Sequence, residues 1–398
     1  MRRFWLAMIC ALALASGAAA QAGDPVRYLR AQGQAPADYI LSKLRDHRVV
    51  LLGEGHWVRH DVQLVAGLVP RLQESGADAL AMEVFPARAQ GAIDRLVTAG
   101  SWDATAALGV LRTAAWPYRE YLEILHAVWA FNRGLPPGAT RLKVIALGPG
   151  EDWRATLLPQ GQTYDTFMAR LVLAHLRPSG GRILAYTGGR HAFTRYYQGE
   201  LPRAERVEHF MDRMGNILWR ELGEDVFLIS LHTPWQCRAG RDWSHCLPLG
   251  GAVDCAAAAL GRPVAFDVAA SPFAELRITA EFSYGLGYPD LRLEDVTDGY
   301  VWSRPVEGYQ GVELIPLTEL APDAESLAEV AQSNPFSDQK TLDRTGLEAL
   351  WKTEAARLRD LPLSSGWQSL AGWREQCKAQ PRSSHRKRWS FDGKDGVE

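Results

Sequence analysis

Short apolar runs of strand length alternate with amphipathic stretches of helical length over residues 49–303, and this alternation constrains the fold more than any other feature. The stretches between the runs carry apolar residues at spacings of three and four, as amphipathic helices do. Strands that alternate with helices favour an α/β fold, with a mostly parallel central sheet and helices on both faces. The predicted strands are VVLLG (49–53), ALAMEVF (79–85), LKVIALG (142–148), RILAYTG (182–188), VFLISLH (226–232) and YVWS (300–303).

Residues 233–298 and 321–376 depart from this alternation. The first stretch holds three cysteines and many Gly and Pro residues, which predicts a loop-rich, disulfide-bearing insertion or cap. The second predicts a C-terminal helical extension, for which LEALWKTEAARLRDL is the clearest segment. The end of the chain, 377–398, is polar and poor in aliphatic residues, which predicts a disordered tail. We therefore predict one α/β domain over 21–320, followed by the extension and the tail.

The first twenty residues have the pattern of a secretory signal peptide. A basic start, MRRF, precedes the apolar stretch WLAMICALALAS, and an A-x-A pattern in GAAAQA predicts cleavage after Ala20. This apolar stretch is too short to span a bilayer as a stable helix, and no later segment is long and apolar enough to do so. We expect an exported protein, periplasmic or secreted, without a transmembrane segment.

The charge balance excludes several classes of partner. The chain of 398 residues has a formal net charge of −2, so nothing indicates binding to nucleic acid or to an anionic membrane surface. Its apolar content of 47% is that of a globular protein long enough to bury a sizeable core unaided. The partners that we expect are a small-molecule substrate or haem.

Four cysteines remain after the predicted cleavage: Cys237, Cys246, Cys255 and Cys377. An even number in an oxidising compartment favours two disulfides, for which there are three pairings. We expect both bridges in the insertion and at its contact with the C-terminal helices. A zinc site that includes His245 is the alternative, but no C-x-x-C spacing supports it.

Glutamate and histidine recur where the predicted strands end. The first strand runs into GEGH, which holds Glu54 and His56; Glu83 lies near the end of the second, and His191 follows the fourth. Open parallel sheets bind ligands outside the carboxyl ends of their strands. These four residues therefore predict a polar cleft at one edge of the sheet. Glycines beside them let the backbone turn tightly and let other groups approach closely.

Further polar residues flank these four. Arg59, His60 and Arg190 are predicted to contact the substrate, although His60, about one helical turn from His56, could instead cap a helix or contact a cleft residue without touching the substrate. His232, at the end of the fifth predicted strand, is expected to be a structural histidine.

Four short motifs carry a resemblance to a known superfamily. They are the GExH turn, a second strand ending in ME with a Phe two residues later, a later QxxxD, and a G-x-H turn. Together they resemble the superfamily that contains ChaN-type haem-binding proteins, Tiki-type metalloproteases and erythromycin esterases. QGAIDRLVTAG is similar to the ChaN branch, whereas WPYREYLEILHAVWAFN and MGNILWRELGEDVFLISL are similar to the esterase branch. The resemblance spans residues 45–232 and extends to TDGYVW, and it leaves the branch open.

The resemblance implies roles for the cleft residues Glu54, His56, Glu83 and His191. In the esterase branch the matching first histidine is a general base on water, and carboxylates orient it. The present chain departs from that branch, because its spacing is E-x-H and not E-x-x-H. Tiki-type proteins need a divalent metal, which His56, Glu83 and His191 would hold here.

The ChaN-type proteins hold haem through a tyrosine ligand. Tyr186, Tyr196 and Tyr197 lie near the fourth motif, but the sequence matches none of them to that ligand. Haem and a divalent metal are therefore both cofactors that the resemblance implies.

These observations favour a hydrolase-like protein that activates water in the cleft and acts on an ester, lactone or peptide bond. No G-x-S-x-G sequence is present and no cysteine lies beside His56 or His191 in the sequence, so His56 or a metal is the expected activator of water. The alternatives are a ChaN-type haem- or iron-binding uptake protein without catalysis, and a member whose cleft binds a ligand without turnover.

Overall fold

A computed structural model describes most of the chain between Asp24 and Ala379. The predicted signal peptide, and all but the first three residues of the predicted tail, lie outside the described residues. The described ranges are 24–114, 116–148, 163–200, 209–239, 242–333, 343–361 and 372–379.

Helices and strands alternate over the described chain, as the sequence predicts. The helices are α1 (Pro25–Gln32), α2 (Pro36–Asp46), α3 (Arg59–Leu68), α4 (Gln90–Thr98), α5 (Ala104–Arg112), α6 (Arg119–Gly134), α7 (Tyr164–Ser179), α8 (Gly189–Ala192), α9 (Met214–Leu222), α10 (Ala252–Leu260), α11 (Leu293–Val296), α12 (Leu317–Leu320), α13 (Ala324–Ser333), α14 (Arg344–Arg359) and α15 (Trp373–Ala379). The strands are β1 (Val49–Glu54), β2 (Ala77–Pro86), β3 (Lys143–Gly148), β4 (Arg182–Gly188), β5 (Gly199–Glu200), β6 (His209–Phe210), β7 (Val226–Leu231), β8 (Trp235–Ala239), β9 (Asp242–Cys246), β10 (Val264–Asp267), β11 (Arg277–Ile278), β12 (Leu291–Arg292) and β13 (Gly299–Trp302).

A seven-stranded sheet forms the centre of the described fold, in the order β10-β13-β7-β1-β4-β2-β3. All neighbouring strands are parallel except β10, which runs antiparallel to β13. Each of the six predicted runs forms one of these strands, so the predicted α/β fold with a mostly parallel sheet is confirmed. β1 lies in the middle of the order, with β4 on one side and β7 on the other.

Both faces of the sheet are covered by helices. Val50 and Leu52 of β1 belong to one apolar core, which α2 to α6 complete. Val49 and Leu51 belong to the other, which includes residues of α1, α7, α9 and α10. Strands that are buried on both faces have continuous apolar sequences, which is why the sequence predicted these strands.

The edge strand β10 comes from within residues 233–298, the stretch predicted as an insertion or cap. It spans only Val264–Asp267, and its Ala265 also forms an antiparallel bridge with Gln34. The stretch thus supplies a strand of the central sheet as well as the cysteine-bearing segments. A run this short, next to Gly261 and Pro263, has no strand pattern of its own.

At the opposite edge of the sheet, one side-chain amide covers β3. Gln90 Nε2 donates to the Val144 carbonyl over 2.7 Å, and the Ala146 N–H donates to Gln90 Oε1 over 2.9 Å. The amide therefore pairs with the strand as the backbone of a further strand would, which protects an edge from unwanted pairing. Gln90 Nε2 also donates to Asp94 Oδ1 over 2.8 Å. The QxxxD motif thus supports the sheet edge.

Two disulfides join the segments that contain the cysteines. Cys237 and Cys246 bridge the hairpin of β8 and β9, and Cys255 and Cys377 join α10 to α15. Both lie in the predicted places, and since all four sulfurs are bonded, the zinc alternative is wrong. Disulfides form in oxidising compartments, which agrees with the predicted export.

None of the helices in the described ranges combines the length and the apolar character needed to cross a bilayer.

The two disulfides should differ in their contribution to stability, because they close loops of very different length. Their cysteines are 9 and 122 residues apart. The loss of chain entropy in the unfolded state then predicts about 2.5 kcal/mol for the Cys237–Cys246 bridge and about 5 kcal/mol for the Cys255–Cys377 bridge. We expect the double variant Cys255→Ala/Cys377→Ala to lose more free energy of unfolding in urea than Cys237→Ala/Cys246→Ala. The reverse order would contradict this assignment.

Candidate functional site

Glu54 and His56 form a hydrogen-bonded pair where β1 ends. His56 Nδ1 lies 2.8 Å from Glu54 Oε1. Residues i and i+2 of an extended chain point to the same side, so the E-x-H spacing itself brings the two groups together. The Tyr186 hydroxyl donates to the second carboxylate oxygen, Glu54 Oε2. With Nδ1 bound to the carboxylate, His56 Nε2 is left facing the end of β4.

Gly188, the last residue of β4, lets the imidazole and a second carboxylate come together. A Cβ atom at this position would lie 2.8 Å from both Cε1 and Nε2 of His56. The Gly188 N–H donates to Glu83 Oε2 over 2.7 Å. Only a residue without a side chain permits this approach. Gly55 is similar, because a Cβ there would lie 2.6 Å from Thr233 Oγ1.

His191 and Glu83 form the second pair of the candidate site. His191 Nε2 lies 3.4 Å from Glu83 Oε1, and His191 Nδ1 lies 2.6 Å from Asp165 Oδ1. The Tyr164 hydroxyl donates to Glu83 Oε1 over 3.1 Å, and its ring stacks on the His191 ring with centroids 5.1 Å apart. The described contacts of Glu83 thus include no arginine, so an arginine ion pair does not account for its burial.

Asp165 is a residue of the candidate site that the sequence did not reveal. Besides holding His191, its Oδ1 accepts the Met214 N–H over 2.8 Å. It lies in the first turn of α7, where a carboxylate is expected for its favourable interaction with the helix dipole. Nothing in the local pattern YDTF distinguishes this role from an ordinary helix start.

Burial and charge act against each other at the two imidazoles. Burial lowers the pKa of His56, but the hydrogen bond to Glu54 and the charges of Glu54 and Glu83 outweigh it, and the pKa is raised. Burial likewise lowers the pKa of His191, but Glu83 and Asp165 raise it by more, so the net shift of the pKa is upward. Burial raises the pKa of Glu83, but the charges of His191 and His56 outweigh it, and the pKa is lowered. Glu83 is therefore a carboxylate between two imidazoles that hold their protons more tightly than free histidine.

Arg59, His60 and Arg190 were predicted to contact the substrate, and the structure places them in three different environments. Arg59 Nε lies 2.7 Å from Glu120 Oε1, where its charge is compensated. Arg190 is exposed, donates to Gln236 Oε1 over 2.8 Å, and its charge reaches His56. Of the three, Arg190 alone has its charge acting on His56.

His60 lies in a buried environment of its own. Its side chain is 6% exposed, and its ring packs edge-on against the Tyr309 ring with centroids 4.5 Å apart. Burial, and then the charges of Arg304 and His232, lower the pKa of His60 to about 3, so the imidazole is neutral. We do not place it among the residues that contact substrate.

His232 agrees with its expected structural role. His232 Nε2 lies 2.9 Å from Asp254 Oδ1, and Nδ1 lies 2.8 Å from the Tyr300 hydroxyl. The side chains of His232 and Asp254 are 1% and 0% exposed.

A metal ion does not fit the arrangement of His56, Glu83 and His191. Across the described ranges, no group of three or more His, Cys, Asp and Glu side chains is placed to hold a metal. Both oxygens of Glu83 already accept hydrogen bonds, from Gly188 and Tyr164. We therefore derive no chemistry through a metal.

Comparison with known proteins shows what the chain is similar to. The profile of a family described as "Haem-binding uptake, Tiki superfamily, ChaN" matches residues 40–161. A comparison with curated proteins found no significant match.

Among solved structures, a succinoglycan biosynthesis protein shares the fold at 10% identity, covering 73% of this chain and 98% of that chain with a TM-score of 0.51. An erythromycin esterase, EreC, in its open conformation is similar at 11% identity. The match covers 66% of this chain and 92% of that chain with a TM-score of 0.43. ChaN of Campylobacter jejuni, with cofacially bound heme, is similar at 13% identity. The match covers 50% of this chain and 87% of that chain with a TM-score of 0.30.

The matched range contains Glu54, His56 and Glu83, three of the four cleft residues named by the sequence motifs. His191 and its partner Asp165 follow beyond it. The resemblance of this chain to the haem-binding ChaN family of the Tiki superfamily is therefore confirmed over residues 40–161, with the branch unspecified.

Proposed function

We propose that the protein is a hydrolase in which His56 activates water and His191 protonates the leaving group. The observation that carries this proposal is the pair of imidazoles, each bound through Nδ1 to a carboxylate, on either side of Glu83. A base and an acid held in fixed orientation are what hydrolysis of an ester or lactone requires. Peptide bonds need the same two groups, so they belong to the same class of substrates to be tested.

His56 has the arrangement of a general base. When Nδ1 carries the proton and donates it to Glu54, the lone pair of Nε2 is free to accept a proton. The carboxylate then stabilises the imidazolium that forms during the reaction. Positioned base catalysis of this kind contributes about 10²–10⁴-fold to the rate.

His191 has the arrangement of a general acid. Glu83 and Asp165 keep it protonated to higher pH than a free histidine. As the water oxygen attacks the carbonyl carbon, one water proton passes to His56 Nε2 and the hydroxyl stays on the carbon. The bond to the leaving group then breaks, and that group takes the proton from His191 Nε2. Proton exchange with solvent restores both imidazoles.

Haem binding without catalysis is the second candidate, and the match to the haem-binding family profile favours it. A tyrosine that ligates haem iron would do so here through the phenol of Tyr164, which lies in the cleft. Burial, and then the charge of Glu83, raise the pKa of Tyr164 well above its usual value, so the phenol keeps its proton unless iron binds it. The two imidazoles, each bound to a carboxylate, rank the hydrolase first.

Replacing His56 tests the hydrolase. We expect wild-type activity against a panel of esters, lactones and peptides to fall as the pH drops through the pKa of His56, which lies above the ordinary value of 6.5. His56→Ala should lower kcat by at least about 10²-fold, because the proton acceptor is lost. His126→Ala, which removes an exposed histidine, is the matched control and should leave the rate unchanged.

A different result would favour haem binding. If the wild type hydrolyses nothing in the panel yet titrates with haemin to give a Soret band, the hydrolase proposal is wrong.

Replacing Glu83 tests the charge coupling. In Glu83→Gln the negative charge between the imidazoles is gone, so the pKa values of His56 and His191 should both fall, as followed by NMR of the histidine Cε1–H signals. The lowered pKa of Glu83 stabilises the fold at pH values above 4.5, the ordinary pKa of glutamate, and this stabilisation is lost as the pH falls. The raised pKa values of His56 and His191 stabilise the fold at pH values below 6.5, the ordinary pKa of histidine, and that stabilisation is lost as the pH rises. The Tm difference from wild type should therefore be largest between these two values.

The control for this experiment is Glu275→Gln, since that side chain is 83% exposed and its nearest arginine contact is 4.0 Å away. A Tm difference for Glu83→Gln that does not change with pH would contradict the assigned coupling.

A further inference from the structure

The residue that follows His56 has an unusual backbone conformation. Trp57 has a φ of 76°, in the left-handed region that residues other than glycine rarely adopt. A conformation of this kind persists only where the surrounding structure holds it, and such residues concentrate at functional sites. The contacts that hold Trp57 therefore bear on the direction of the neighbouring imidazole.

Residues 310–315, here called the strap, pair with the turn that follows His56. The Val312 N–H donates to the Trp57 carbonyl over 3.0 Å, and the Arg59 N–H donates to the Gln310 carbonyl over 2.9 Å. Both backbone partners on the side of the turn lie within three residues of His56.

The strap also pairs with a second loop that reaches the same imidazole. The Arg119 N–H donates to the Glu313 carbonyl over 2.8 Å, and the Ile315 N–H donates to the Pro117 carbonyl over 3.1 Å. This loop carries Trp116, whose ring centroid lies 4.5 Å from that of His56. One segment thus fixes the two loops that flank the ring.

Helix α14 covers the strap and contacts Trp57 directly. The Arg357 guanidinium lies over the Trp57 ring, 4.2 Å from its centroid, and Arg357 Nε donates to Glu354 Oε2 over 2.9 Å. A Cβ at Gly311 of the strap would lie 2.0 Å from the Leu358 carbonyl oxygen, so helix and strap are in close contact. A guanidinium over a tryptophan face is an attractive pair, and attraction is strengthened where water is excluded.

The rest of the C-terminal extension packs beside the same turn. Leu361 and Trp373 form a small apolar cluster with Val58 and Tyr309. The Cys255–Cys377 disulfide fixes α15 to α10 nearby. The extension thus surrounds the turn between β1 and α3 instead of standing apart from the α/β core.

We propose that Arg357 is a positioning residue for His56: it holds Trp57 in its left-handed conformation, and with the strap it fixes the His56 ring between Glu54 and Trp116. This inference rests on the proposed function for its effect on rate. Its effect on the imidazole itself does not depend on any activity. The position of a base matters because a misplacement of about 1 Å can cost about 10²-fold in rate.

Three variants and a control test the proposal in the full chain. Arg357→Ala removes the contact, Arg357→Met keeps the aliphatic packing without the charge, and Arg357→Lys keeps a cation over the ring. Arg359→Ala, two residues on and exposed, is the control. Each variant is measured for kcat, KM, Tm and the NMR titration of His56.

We expect Arg357→Ala and Arg357→Met to lower kcat about 10–100-fold with little change in KM, because orientation of the base is lost and not binding. The pKa of His56 should fall towards its ordinary value as the bond to Glu54 loosens. Arg357→Lys should restore most of both properties, and Arg359→Ala should match the wild type.

If Arg357→Met lowers Tm but titrates and turns over like Arg359→Ala, Arg357 only packs and the proposal is overturned. The methionine variant decides the question if the alanine variant does not fold. Should the wild type hydrolyse nothing, the proposed function fails by itself. In that case a shifted His56 titration in Arg357→Met still supports the positioning role, and an unshifted one overturns it.

Discussion

The parallel pairing of β1 and β2 on either side of β4 is the constraint on which the site depends. In this register Glu54 lies opposite Gly188, the last residue of β4. Because Gly188 has no side chain, the His56 ring can lie against it while its N–H binds Glu83. Glu54 shares a face of the sheet with the core of α2 to α6, whereas Glu83 points towards the core that contains α7. The two halves of the site therefore come from opposite faces and meet over the end of one strand.

Charge pairing is what makes so polar a site compatible with burial. Glu54, Glu83 and Asp165 are all nearly inaccessible, and an isolated buried carboxylate would be strongly disfavoured. Each one instead accepts hydrogen bonds from an imidazole, a hydroxyl or a backbone N–H. Such clusters contribute little to stability relative to apolar packing, but the loss of one member leaves its partner's charge uncompensated. The cluster is thus expected to be more important for protonation and orientation than for the total stability of the fold.

The sequence predicted the parts of the molecule that local pattern determines. The six strand runs were predicted because burial on both faces removes polar alternation, and Glu54, His56, Glu83 and His191 were expected to lie together because parallel strands end at a common edge. Asp165 was not found, because a carboxylate in the first turn of a helix has an ordinary explanation. The pairing of the cysteines and the contact between Arg357 and Trp57 join segments far apart in the chain, and no local pattern encodes such contacts. The QxxxD motif was one of the four motifs that carry the resemblance, but its role at the sheet edge depends on where β3 lies.

The spacing E-x-H also accounts for the strained turn. In an extended chain, residues two apart lie on the same side, so His56 reaches Glu54 only if the backbone stays extended through Gly55. A spacing of three would instead allow the chain to turn before the histidine. Here the turn consists of His56 and Trp57, and only Val58 separates it from α3. The left-handed conformation of Trp57 is the result, and a tryptophan at that position, unlike a glycine, offers a ring that the strap and α14 can hold. The short E-x-H spacing and the helical extension that covers the turn are in this way two parts of one arrangement.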